Sequence, residues 1–135
     1  TPGLIDIHRH ADLMPFFGKP WDEPAQGLTT MVSGNCGFSC VPNAPDTFEA
    51  ARAYAAPILG ETPEALKGMS TNAFFDAVER SELPMNCGYL VGNGSLRRCV
   101  AGFSDAPLTK NQLDAVCALL DEALSAGALG LQGLL

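Results

Sequence analysis

The chain has 135 residues, 47% of them hydrophobic and 17% charged, a balance that fits one globular domain with a real core and excludes a disordered chain. The formal net charge is -7, and the eight basic residues are scattered, which argues against nucleic acid as a partner and against a basic membrane-surface helix. No apolar run approaches the roughly 20 residues that a membrane span needs, so membrane partners are excluded as well.

Gly3-Leu4-Ile5 reads as a short buried strand that runs into Asp6-Ile7-His8-Arg9-His10. Side chains on an extended chain alternate, so His8 and His10 point to one side and form a metal clamp at the strand end. Residues 15–24 form a loop rich in Pro and aromatics, with Phe16, Phe17 and Trp21, that either packs over a mouth or walls a substrate pocket. A helical turn ends at Gly27, and residues 28–33 read as a β-branched, apolar strand. Gly34-Asn35-Cys36-Gly37 follows as a tight turn, which puts Cys36 at a strand end like the two histidines.

Asp46 and Glu49 have the spacing of a capping box, and Phe48, Ala51, Ala55 and Ile58 fall on one helical face before Gly60. A second helix is capped by Ser70 or Thr71, carries Phe74, Phe75 and Val78 inward, and stops by Pro84. Residues 85–91 are the third strand, followed by Gly92-Asn93-Gly94-Ser95-Leu96-Arg97, a turn entering a short helix. Thr109 with Gln112 is another capping-box pattern. Behind it Leu113, Val116, Cys117, Leu120, Ala123 and Leu124 trace an apolar face that Gly127 closes, and Ala128 to Leu131 begin a fourth strand.

Strands buried on both faces and alternating with helices predict an α/β fold with a parallel sheet and flanking helices. The expected architecture is a partial (β/α)8 barrel covering about the first four strands. Residues 1–135 show no linker and read as one unit. The chain starts at Thr1 without Met and stops in an apparent strand, so the expectation is a piece of a longer protein. The five cysteines, an odd number with no secretory signal in view, predict a reducing, cytoplasmic setting, with most thiols acting as small apolar side chains. Unusual polar residues gather at the strand ends, where barrels build active sites, and imidazole with thiolate suits zinc. Metal-assisted hydrolysis is the chemistry that uses such a set.

The stretch Pro2-Gly3-Leu4-Ile5-Asp6-Ile7-His8-Arg9-His10-Ala11-Asp12 resembles the first barrel strand of the amidohydrolase superfamily. Gln26-Gly27-Leu28-Thr29-Thr30 and the Asn35-Cys36-Gly37 turn resemble the second strand of one branch, the D-aminoacylase (N-acyl-D-amino-acid deacylase) family. Gly92 to Arg97 and Leu120 to Leu131 are similar to later parts of that family, so the resemblance runs over nearly the whole chain. It implies the N-terminal portion of a catalytic barrel that cleaves the N-acyl amide of N-acyl-D-amino acids with zinc. Cys36 is then a zinc ligand, and His8 and His10 belong largely to a second, weaker metal position. Asp12, Asn93, Ser95 and Arg97 are the expected substrate contacts, and Asp6 orients a histidine.

The further histidine ligands and the proton-shuttling aspartate of the family come from later strands, and the chain has two histidines in all. The implied catalytic set within these residues is therefore empty, and the piece is expected to be inactive alone. The remainder of the barrel or a second copy would cover its open sheet edge. Two departures stand out: Asn93 occupies a place where the family often has histidine, and Gln132-Gly133 follows the last strand where Ser and Thr are common. Asn93 keeps hydrogen bonding but does not titrate near neutral pH. Two other readings stay open, a cyclic-amide hydrolase of the dihydropyrimidinase type and a non-catalytic partial-barrel unit. The former relies on a mid-barrel lysine, and no lysine here falls at a strand end.

Overall fold

The computed structural model describes residues 2–17 and 22–133. Trp21, expected in the aromatic loop, lies outside the described residues. The strands are β1 (Leu4–Asp6), β2 (Leu28–Ser33), β3 (Asn86–Tyr89), β4 (Val91–Gly92) and β5 (Leu131–Gln132). The helices are α1 (Met14–Phe17), α2 (Phe48–Leu59), α3 (Thr71–Glu79), α4 (Asn93–Ala101) and α5 (Lys110–Ser125), with short 3-10 turns at Pro24–Gln26 and Glu64–Leu66.

All strand pairs are parallel, in the order β1-β2-β3 and then β4-β5. The third strand expected over 85–91 is split at Leu90. Ser33 lies opposite Tyr89 at the end of the β2–β3 ladder, and Leu90 N donates to Ser33 O at 2.8 Å. One residue later Val91 N donates to Gly130 O at 2.9 Å, so the chain passes from one neighbour to the other. Parallel strands, the third split at Leu90, alternate with helices, the architecture of part of a (β/α)8 barrel.

The helices cover one face of the sheet. Phe48, Ala55 and Leu59 of α2 and Phe74 and Val78 of α3 pack with Tyr89 of β3. Val91 of β4 packs with Leu96 of α4 and Val116 and Ala123 of α5. The expectation of strands buried on both faces needs correction. In β2, Met31 and Ser33 are fully buried while Thr30 and Val32 are half-buried. Leu4 and Ile5 of β1 are 64% exposed, because β1 is an edge strand paired with β2 alone.

The helix starts follow their caps. Ser70 accepts from Ala73 N at the start of α3, and Thr109 with Gln112 forms a complete capping box on α5. At α2 the Asp46–Glu49 box does not form: Thr47 is the cap residue and makes no side-chain cap bond. Leu59, not Ile58, faces inward there. At about 100° per residue Leu59 falls about 20° from Phe48, whereas Ile58 falls about 80° away. On α5 the inward stripe is Val116 and Ala123, with Leu119 and Leu120 partly buried, and the flank of Leu113, Cys117 and Leu124 is exposed. Among the described residues no helix is long and apolar enough to cross a membrane.

Candidate metal centre

The ladder of β1 continues past its assigned end, since Arg9 N donates to Val32 O at 3.0 Å. The chain bends at His8, and the Arg9 guanidinium meets Glu23 at 2.7 Å and Asp6 at 3.5 Å. The His8 and His10 rings lie edge-to-face with centroids 5.8 Å apart. Asp6 does not orient a histidine ring as expected. Its Oδ1 accepts from the His8 backbone N–H at 3.0 Å, so it shapes the turn instead.

Cys36 arrives from the end of β2. Both central residues of its turn have positive φ, 56° at Cys36 and 74° at Gly37, and Phe38 N donates to Asn35 O at 2.9 Å. That is the pattern of a type I′ turn, with Gly37 suited to its positive φ and Cys36 held at the other central position. The Asn35 side chain ties the turn to the histidine strand by donating to Arg9 O at 3.2 Å and Val32 O at 3.0 Å. The outcome places Cys36 Sγ 3.3 Å from His8 Nε2. One ligand atom each from His8, His10 and Cys36 lies within 4.8 Å of the others. His10 Nδ1 is buried with no hydrogen-bond partner, and burial and the neighbouring His8 both push its pKa down, toward the neutral ring that a metal needs. The donor set and this orphaned nitrogen fit a zinc-type ion.

Of the expected substrate contacts, Asn93 is brought to the centre. It shares a cleft of about 170 Å³ with Cys36, Gly37, Phe38, Tyr54 and Arg98. The other three are placed elsewhere. Asp12 is 1% exposed, and its Oδ1 accepts from Cys40 N at 3.3 Å at the far end of the Cys36 loop. Ser95 is buried, and its hydroxyl is used up by Ser39 and Arg98: it accepts from the Ser39 N–H at 2.9 Å and from the Arg98 guanidinium at 2.8 Å, and donates to the Ser39 carbonyl at 2.8 Å. Arg97 donates to the carbonyls of Ser104 and Ala106 in the loop that follows α4. Cys40 lies in the apolar core, where burial pushes its thiol pKa well up, so it remains a packing side chain.

Sequence reading missed three residues. Arg98 lies over the rings of Phe38 and Tyr54, at 5.6 and 5.4 Å, and reaches the cleft that Arg97 was expected to serve. Ser39 locks the loop by accepting from Gly92 N at 3.1 Å. Gln132 accepts from Gly37 N at 2.6 Å across 95 positions of sequence. Only its departure from the usual Ser or Thr marked Gln132 out, and no local signal marked the other two.

No family model matches the chain. Curated relatives do. An N-acyl-D-glutamate deacylase of Alcaligenes xylosoxydans xylosoxydans is 37% identical over 132 residues, covering 96% of this chain and 26% of the relative. An N-acyl-D-aspartate deacylase of the same organism is 33% identical, with 96% and 25% covered. The chain thus spans about a quarter of the length of these relatives. Among solved structures, the N-acyl-D-glutamate deacylase of Bordetella bronchiseptica, in complex with zinc and a phosphonate mimic of the tetrahedral intermediate, superposes with a TM-score of 0.81. It is 40% identical over 98% of this chain and 27% of its own. A D-aminoacylase superposes with a TM-score of 0.79 at 26% identity, again over 98% and 27%. Joined to the parallel βα architecture and the His8–His10–Cys36 cluster, these likenesses place the chain in the D-aminoacylase family of the amidohydrolases.

Proposed function

We propose that the protein containing this chain is a zinc-dependent hydrolase of the N-acyl amide bond of N-acyl-D-amino acids, and that residues 1–135 are the N-terminal portion of its barrel. The observation that carries the reading is the convergence of His8, His10 and Cys36 from two adjacent strand ends, their ligand atoms within 4.8 Å of one another. Two imidazoles and a thiolate would hold zinc, and zinc supplies Lewis-acid polarisation of an amide carbonyl. Arg9, clamped by Glu23 and Asp6, fixes the stretch that carries the two histidines. Asn35 fixes the spacing between the histidine strand and the Cys36 turn. Asn93, exposed at the rim of the adjoining cleft, is the group we assign to substrate contact.

Three ligands leave a zinc shell open, and the remaining histidines and the proton-shuttling aspartate are expected outside these residues. Exposed Leu4, Ile5 and Ile7 on one edge and Leu131 on the other mark where the rest of the barrel, or a second copy, would pack. The five free cysteines support a reducing, cytoplasmic setting. The test is hydrolysis of N-acyl-D-glutamate, N-acyl-D-aspartate and their L forms by the full protein, with zinc content measured in parallel. D-selective turnover is expected, with zinc and rate both falling at least about tenfold in Cys36→Ala. Turnover by residues 1–135 alone would overturn the reading that further ligands and the proton-shuttling aspartate lie outside them, and ring opening of a dihydropyrimidine instead of deacylation would favour the cyclic-amide alternative.

A further inference from the structure

We infer that Gln132 is a positioning residue for Cys36, holding the ligand-bearing turn from the far side of the site. This deepens the metal reading of the His8–His10–Cys36 cluster and rests on it.

Cys36 sits in the left-handed region at φ 56°, a conformation that strains a non-glycine residue and needs its surroundings to hold it. Within a type I′ turn the closing bond uses the N–H of the fourth residue, here Phe38 to Asn35 O. The N–H of Gly37 is left over. A half-buried amide without a partner would itself be costly, and it would let the turn flip toward a form in which it is satisfied.

Gln132 supplies the partner. Its Oε1 accepts the Gly37 N–H at 2.6 Å. Gln132 is itself fixed by the β4–β5 ladder, opposite Gly92. Beneath the turn, Gly92 allows backbone contact: a Cβ there would lie 2.4 Å from Gly37 O. The turn is therefore held on the histidine side by Asn35, below by the start of α4, and on the outer side by Gln132. The last contact joins the fourth parallel strand to the residue next to the thiolate. Pairing of β5 with β4 thus sets the direction in which Cys36 Sγ points.

The test compares Gln132→Met, which keeps the volume and removes the acceptor, Gln132→Ala, and Gln132→Glu, which keeps an acceptor oxygen, in the full protein. Amide exchange by NMR reads the contact directly in the metal-free state. In Met and Ala the Gly37 amide is expected to exchange about tenfold faster, as loss of one hydrogen bond allows, while Phe38 stays protected. Gln132→Glu is expected to restore slow exchange. Titration with cobalt(II), read by the thiolate-to-cobalt charge-transfer band, is expected to show affinity about tenfold weaker in Met and Ala. Unchanged Gly37 exchange, or faster exchange with unchanged cobalt affinity, would overturn the inference. If the wild-type protein gives no thiolate band and Cys36→Ala leaves cobalt affinity intact, the metal reading fails instead, and the two failures are told apart.

Discussion

A carboxylate with 1% of its surface exposed, as Asp12 has, carries its charge only at a cost. Burial pushes its pKa up from 3.8 to about 6, and hydrogen bonds from backbone N–H groups, including that of Cys40, pull it part of the way back. The folded form therefore binds this proton more tightly than the unfolded chain does. The stabilisation that protonation brings is complete below pH 3.8 and is lost as pH rises through about 6. Asp12→Asn, neutral at every pH, is expected to remove that loss, which is on the order of 2–3 kcal/mol for such a shift. Urea midpoints of the metal-free protein and the variant across this window measure it, and equal slopes would show that Asp12 is not the titrating group. The same burial explains why Asp12 serves the loop backbone and not a substrate.

Junctions between elements carry more of the fold than the caps at their ends. Gly34 leaves β2 at φ 84°, and a Cβ there would lie 1.9 Å from Leu90 O, at the point where β3 hands over to β4. Gly34→Ala is expected to cost at least about 3 kcal/mol, since both the backbone angle and a neighbouring carbonyl oppose it. The Thr109–Gln112 box, on an exposed helix start, is a local device, and Thr109→Ala is expected to cost about 1 kcal/mol. Chemical unfolding of the two variants checks the ordering; equal losses would refute it. Phe74, fully buried among Phe16, Phe75 and Tyr89, shows the same contrast: its helical spacing was plain, and two of its three ring partners come from α1 and β3, far off in sequence.

At the scale of the whole molecule the unpaired edge of β1 dominates behaviour. Leu4 and Ile5 are 64% exposed and Ile7 72%, beside a row of backbone groups with no strand among the described residues to meet on that side. Such an edge pairs with whatever reaches it. Residues 1–135 prepared alone are expected to associate as concentration rises. Ile5→Lys with Ile7→Lys is expected to shift them toward monomer in analytical ultracentrifugation. A wild-type chain that stays monomeric at high concentration would contradict this. The exposed flank of Leu113 and Leu124 on α5 adds a second apolar margin at the other side of the partial barrel.

The order of strands and helices, the capping box at Thr109 and the turn at Asn35-Cys36-Gly37 were legible in the amino-acid sequence alone, because each depends on residues a few positions apart. The nearness of His8 and His10 was expected from the period of an extended strand, but β1 ends at Asp6 and the chain bends at His8, so the approach of both rings to Cys36 is set by that bend and by the Cys36 turn. Near misses such as Ile58 for Leu59 arose where two residues lie within one apolar arc and neighbours choose between them. What only the tertiary structure decided is who meets whom across the chain. Asp12 is buried under the Cys36 loop, Arg98 rather than Arg97 reaches the cleft, and Gln132 finds Gly37. These contacts follow from parallel strand pairing, which brings together residues nearly a hundred positions apart and leaves no periodic trace in sequence.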